Sequence, residues 1–76
     1  MQALANGGKR TALKVFRVSR NMTQDDIAGA TGVSRSTYAL IEEGARGGRA
    51  KFWEALQNAF DLPDGEMYGL MKCNKQ

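Results

Sequence analysis

The chain has no histidine, a single cysteine (Cys73) and a single proline in 76 residues. Without histidine the usual Cys₂His₂ and His₃ zinc sets cannot be built, and one cysteine rules out Cys₄. No metal and no other cofactor is expected. Histidine-based acid–base and triad chemistry is excluded on the same ground, and no nucleophile elbow is present, so the chain does not read as an enzyme. One thiol cannot close an internal disulfide and suits a reducing compartment. Apolar runs are only a few residues long, too short for a membrane-spanning helix or the core of a signal peptide. A cytoplasmic location with no membrane partner is the expectation.

What is present is the composition of one small globular domain, 42% apolar and 25% charged, with a net charge of +3. The charges fall in blocks. Residues 1–24 carry Lys9, Arg10, Lys14, Arg17 and Arg20 and no acid. Residues 25–44 set Asp25, Asp26, Glu42 and Glu43 against Arg35 alone. Residues 45–51 add Arg46, Arg49 and Lys51, and residues 52–66 hold Glu54, Asp61, Asp64 and Glu66. Basic blocks gathered on one face would make an electrostatic footprint for nucleic acid.

Periodicity and punctuation predict five short helices and no strand: an all-α chain. Leu13, Phe16 and Arg20 share a stripe of a first helix over 10–20, broken by Asn21-Met22. Thr23 is a good N-cap for a second helix, and Asp26 stands at the capping-box spacing. Gly32 ends that helix where positive φ is wanted. Ser34 caps a third helix, Arg35 to Glu43, with Tyr38 and Ile41 inward and Gly44 as its stop. A basic glycine-rich loop, 45–50, leads to a fourth helix over 51–60 with Phe52, Trp53, Leu56, Ala59 and Phe60 on its apolar face. Asp64 is expected to cap a fifth, 65–72. Residues 1–8 read as a flexible arm, 9–72 as the domain and 73–76 as a tail.

The second and third helices carry the functional signal. Counting from Gln24 as first position, Ala28 is fifth, Gly32 ninth, Val33 tenth, Tyr38 fifteenth and Ile41 eighteenth. The fifth residue must be small where two helices cross steeply, and the ninth must turn left-handed. The tenth, fifteenth and eighteenth must bury apolar bulk. That is the helix-turn-helix arrangement. In uninterrupted register, LKVFRVSRNMTQDDIAGATGVSRSTYALIEEG and then FWEALQNAFDL resemble the lambda-repressor-like Cro/CI (XRE) family over roughly residues 10–71. Tyr38 and Thr31 stand where that family more often has aliphatic residues, and the loop lacks its common proline.

The resemblance implies a phage or bacterial regulator, most simply a Cro-type repressor, that binds a pseudo-palindromic double-stranded operator as a homodimer. An antitoxin or anti-regulator that holds a protein partner is the alternative. The third helix would enter the major groove, with Ser34, Arg35, Ser36, Ala39 and Leu40 at base edges. Gln24, with Thr23 beside it, would meet phosphate at a helix N-terminus. Arg46, Arg49 and Lys51 in the glycine loop are candidates to follow the backbone, as are Arg10 and Arg20. Arg17 and Glu42 match the family's structural pair. Met67, Tyr68 and Met71 are candidates for a dimer interface.

Overall fold

A computed structural model describes residues 9–73; the arm predicted over 1–8 and the end of the tail lie outside the described residues. Five helices follow one another: α1 (Thr11–Ser19), α2 (Gln24–Thr31), α3 (Arg35–Glu43), α4 (Ala50–Phe60) and α5 (Asp64–Met71). No strand occurs among the described residues. None of these helices is long and apolar enough to cross a membrane.

The helix ends follow local chemistry. Thr23 Oγ1 accepts from the Asp26 amide at 3.1 Å, and Asp26 Oδ2 accepts from the Thr23 amide at 2.8 Å, so the capping box is complete. Ser34 Oγ accepts from the Thr37 amide at 3.1 Å and caps α3. Gly32, at φ 78°, makes the turn between α2 and α3. α1 stops one residue short of the expected end, and Asn21 takes φ 57°. The start of α5 differs from the sequence reading. Pro63, not Asp64, occupies its N-cap, and no side chain caps it. Asp64 instead accepts a 2.8 Å bond from Gln57 Nε2.

The core joins Leu13 and Phe16 of α1, Ile27 and Ala28 of α2, Tyr38 and Ile41 of α3, Phe52, Trp53 and Leu56 of α4, Leu62, and Met67 and Leu70 of α5. Ala28, 2% exposed, lets α2 and α3 cross closely, as its place in the motif requires. The two departures from the family are accommodated by hydrogen bonds. Thr31 is buried, but its hydroxyl donates to the Ile27 carbonyl at 2.8 Å. Tyr38 is buried, and its hydroxyl donates to Glu42 Oε2 at 2.7 Å. Ala59, expected inward, is exposed. Aromatic contacts join helices to α4, with Phe16 of α1 against Phe60 at 5.3 Å and Tyr38 of α3 against Phe52 at 6.2 Å.

Candidate DNA interface

α3 buries Tyr38, Ile41 and Glu42. At 100° per residue the opposite side is centred on Ser36, Leu40 and Glu43, with Thr37 and Ala39 on its flanks, while Arg35 falls on the Glu42 side and is exposed because it opens the helix. Leu40 is 41% exposed there, an apolar side chain of the size that packs on a thymine methyl. Ser34, Arg35 and Ser36 are exposed at the helix start. Glu43, absent from the expected contact set, lies on the same outward side, with Lys9 Nζ 4.0 Å from its carboxylate. Such an exposed pair contributes little to stability but offsets the acid's field.

Glu42 is buried behind this face and fixes its orientation. Its carboxylate accepts from Arg17 Nε at 2.9 Å, Arg17 Nη2 at 3.3 Å, Gln24 Nε2 at 3.1 Å and the Tyr38 hydroxyl at 2.7 Å. Arg17 Nη1 donates to the Met22 carbonyl at 2.9 Å. One carboxylate therefore ties α1, the first residue of α2 and the end of α3 together. Burial alone would raise the Glu42 carboxyl, but the donors from Arg17, Tyr38 and Gln24 outweigh it and hold it below its ordinary value. For Tyr38 the order is simple: burial, then the bond to Glu42, pushes the phenol well above its usual range.

Gln24 thus has an internal partner, yet it is only half-buried. It lines a hollow with Thr23, Asn21 and Arg35 between the α1–α2 turn and the start of α3. A second hollow, of about 540 Å³, lies between α3 and the basic loop. Thr37 lines it from the helix, and Arg46, Arg49 and Lys51 line it from the loop and the start of α4. Thr37 was not singled out from the sequence, although the i−1 relation to Tyr38 places it on that side. The loop also depends on Gly48. Its φ is 77°, and a Cβ built on it would stand 2.9 Å from Trp53 Nε1.

The N-terminal cations are committed differently from the expectation of a basic face. Arg10, read from the sequence as a phosphate contact, is 7% exposed and donates to backbone carbonyls of Ile41, Arg46, Gly47 and Met71. Its guanidinium is turned into the domain and cannot meet a phosphate. Arg20 is exposed, with its guanidinium 3.9 Å from the centre of the Phe16 ring. The proposed dimer patch also needs revision. Met67 is 5% exposed and belongs to this domain's own core, whereas Tyr68 (70%) and Met71 (38%) are outward. Those two line a groove with Trp53 between α4 and α5, rimmed by Glu54 and Asp64.

Comparison with known proteins adds the family. A helix-turn-helix domain family matches residues 10–68. The chain is 46% identical over 35 residues to an uncharacterized HTH-type transcriptional regulator of Archaeoglobus fulgidus, a match covering 46% of this chain and 49% of that protein. It is 38% identical over 53 residues to another protein of that description from Methanocaldococcus jannaschii, covering 70% of this chain and 71% of that protein. The chain thus spans about half the length of the first of these relatives. No solved structure is significantly similar to it. With the match running from the start of α1 into α5, the chain belongs to the helix-turn-helix domain family.

Proposed function

We propose that the chain is a DNA-binding transcriptional regulator that lays α3 in the major groove. The observation that carries this is the exposed start and outward side of α3, with Arg35, Ser36 and Leu40 presented between two hollows, one that Arg35 lines with Thr23 and Gln24 and one whose far wall carries Arg46, Arg49 and Lys51. Arg35 at the helix start reads a base, with guanine O6 and N7 as its best bidentate partner. Ser34 and Ser36 bond to base edges, and Leu40 and Ala39 take thymine methyl groups. Arg46, Arg49 and Lys51 hold the backbone, with Gln24, Thr23 and Arg20 supporting from the other side. Two relatives named as transcriptional regulators support the reading.

A domain this small reads too few base pairs for useful specificity alone, so the regulator acts as a homodimer on a pseudo-palindromic operator, with its two α3 helices about 34 Å apart. Tyr68 and Met71 supply the exposed apolar contact that such a pairing uses. Repression by occupancy, in the manner of a Cro-type protein, is the simplest mode.

The test is a titration of Arg35→Ala and Arg49→Ala against single-base variants of a duplex selected from random DNA, over a range of salt. Wild-type binding should show a slope of log K against log[salt] near −5 if about six phosphates are neutralised per dimer. Arg35→Ala should cost about 1–3 kcal/mol at the cognate site and relax preference at one position per half-site. Arg49→Ala should weaken all duplexes alike and flatten the slope by about 0.9 per contact. No binding to any duplex, with a protein partner retained on a chain mutated at Arg35, favours the antitoxin or anti-regulator alternative.

A further inference from the structure

Arg10 opens α1, more than thirty residues before the basic loop, yet its side chain is built into that loop. Nη1 donates to the Ile41 carbonyl at 2.6 Å and to the Arg46 carbonyl at 2.9 Å. Nη2 donates to the Gly47 carbonyl at 3.2 Å, and Nε to the Met71 carbonyl at 2.9 Å. Ile41 and Met71 lie in the last turns of α3 and α5, where a cation is favoured, and the Ile41 carbonyl takes the guanidinium in addition to the Gly44 amide at 3.1 Å. The backbone of Arg10 adds to this, its amide donating to the Glu42 carbonyl at 2.9 Å.

The loop itself has backbone anchors at its two ends. The Ala45 and Arg46 amides donate to Leu40, and the Phe52 and Trp53 amides donate to Arg49. Between those anchors the Arg46 and Gly47 carbonyls are taken by side chains. Arg10 takes both, and Trp53 Nε1 shares Gly47 at 3.3 Å. The guanidinium stands 5.4 Å from the Trp53 ring centre, and Gly48 packs without a side chain against the same indole. Arg10, Trp53 and Gly47 close a triangle under the loop whose upper surface carries Arg46 and Arg49.

We infer that Arg10 is a positioning residue for DNA binding: it holds loop 45–49 in the shape that presents Arg46 and Arg49 to the phosphate backbone. The inference rests on the DNA-binding reading above. Two features separate it from a merely stabilising role. Two of the four carbonyls it holds, those of Arg46 and Gly47, lie in the loop itself, one on a residue assigned to phosphate and one beside it. The planar fork also matters as much as the charge, because a lysine ammonium at that depth cannot reach carbonyls of α3, the loop and α5 together.

The experiment is a double-mutant cycle between Arg10→Lys and Arg49→Ala, read by binding to a selected duplex across salt concentrations, with helical content checked first. Arg49→Ala alone should weaken binding about eightfold per protomer near 0.1 M salt, or about sixtyfold for a dimer that loses one phosphate contact from each half. Arg10→Lys keeps the net charge, yet it should weaken binding by at least as much and flatten the salt slope. In the Arg10→Lys background, Arg49→Ala should then cost less than about twofold, because the contact is already displaced. Base preference should survive in both. Fully multiplicative effects, or an unchanged salt slope in Arg10→Lys, overturn the inference. If Arg10 variants do not fold, Trp53→Phe, which removes the indole donor from Gly47, replaces Arg10→Lys in the cycle, and multiplicative effects there overturn it equally. Wild-type protein that binds no duplex brings down the DNA-binding reading itself, whereas wild-type binding with independent mutations removes the role of Arg10 alone.

Discussion

Glu42→Gln is the substitution with the most informative cost. It keeps the shape of the side chain but removes the charge that Arg17, Gln24 and Tyr38 converge on. Arg17 Nε at 2.9 Å and the Tyr38 hydroxyl at 2.7 Å both reach Oε2. An amide can offer an acceptor to one carboxylate position only, and its NH₂ then faces a donor at the other. Breaking a buried ion pair costs about 3–5 kcal/mol, lowered here because one amide oxygen still accepts, so a loss of about 2–4 kcal/mol is expected. A domain of this size has roughly 4–11 kcal/mol in all, so the effect takes a large share of it. The pH dependence gives a second check. The Glu42 carboxyl lies below its ordinary 4.5 in the folded state, so its stabilisation is complete above that value and is lost as pH falls through the folded one. Urea unfolding at pH 7 should therefore show the full deficit of Glu42→Gln. As pH falls below 4.5 and the Glu42 carboxyl takes up its proton, the wild type should lose stability relative to the mutant and the gap should narrow. A deficit under about 1 kcal/mol at pH 7, or one that stays the same at low pH, would refute the view of Glu42 as the charged tie of α1, α2 and α3.

Gly48→Ala and Gly32→Ala form a matched pair, since φ is 77° at one and 78° at the other. Nothing lies within 4 Å of a Cβ at Gly32, whereas at Gly48 it meets the buried Trp53 ring at 2.9 Å. Chemical denaturation should show Gly32→Ala costing about 1 kcal/mol from the left-handed backbone, and Gly48→Ala about 1–3 kcal/mol more; equal costs would contradict this. Gly29 in α2 and Gly69 in α5 are helical, exposed, and open around a built Cβ. Alanine at either should raise stability by up to about 1 kcal/mol in the same assay. A loss on either substitution would mean that the site is closer-packed than described.

The architecture was legible because helix boundaries are written in local chemistry. Thr23 with Asp26, Ser34, Gly32 and Gly44 are punctuation marks, and α2 and α3 follow them. Long-range commitments were not legible. An arginine after Gly7-Gly8-Lys9 reads as surface, and nothing local announces that carbonyls of Ile41, Arg46, Gly47 and Met71 will gather around it. The Tyr38–Glu42 bond, by contrast, was open to reading from its i, i+4 spacing. Glu43 and Thr37 were likewise open, once Tyr38, Ile41 and Glu42 are set inward on a 100° wheel. At α5 an eight-residue helix is too short for periodicity to separate the buried Met67 from its exposed neighbour Tyr68.

The same commitments explain how a chain with acids near its reading helix can attract a polyanion. Glu42 is buried and paired with Arg17. Asp26 is closed into the capping box, and Glu43 has Lys9 4.0 Å away. Of the acids in the block 25–44, only Asp25 is an exposed first-turn charge without such an offset described for it. The basic partners in these contacts, Arg17 and Lys9, come from the N-terminal block, so part of that block's charge is committed to pairs within the domain. On the proposed reading the attraction falls to Arg35, Arg46, Arg49 and Lys51, with Arg20 in support, all exposed. Arg10 adds its charge beneath Arg46 and Gly47 while its donors are occupied by carbonyls. A low-dielectric domain lets that buried charge contribute to the potential of the loop without competing for the phosphate. Charge that folds the domain and charge that meets the ligand are thus carried by different residues, and substitutions at the two sets should separate stability from affinity everywhere except at Arg10, where both meet.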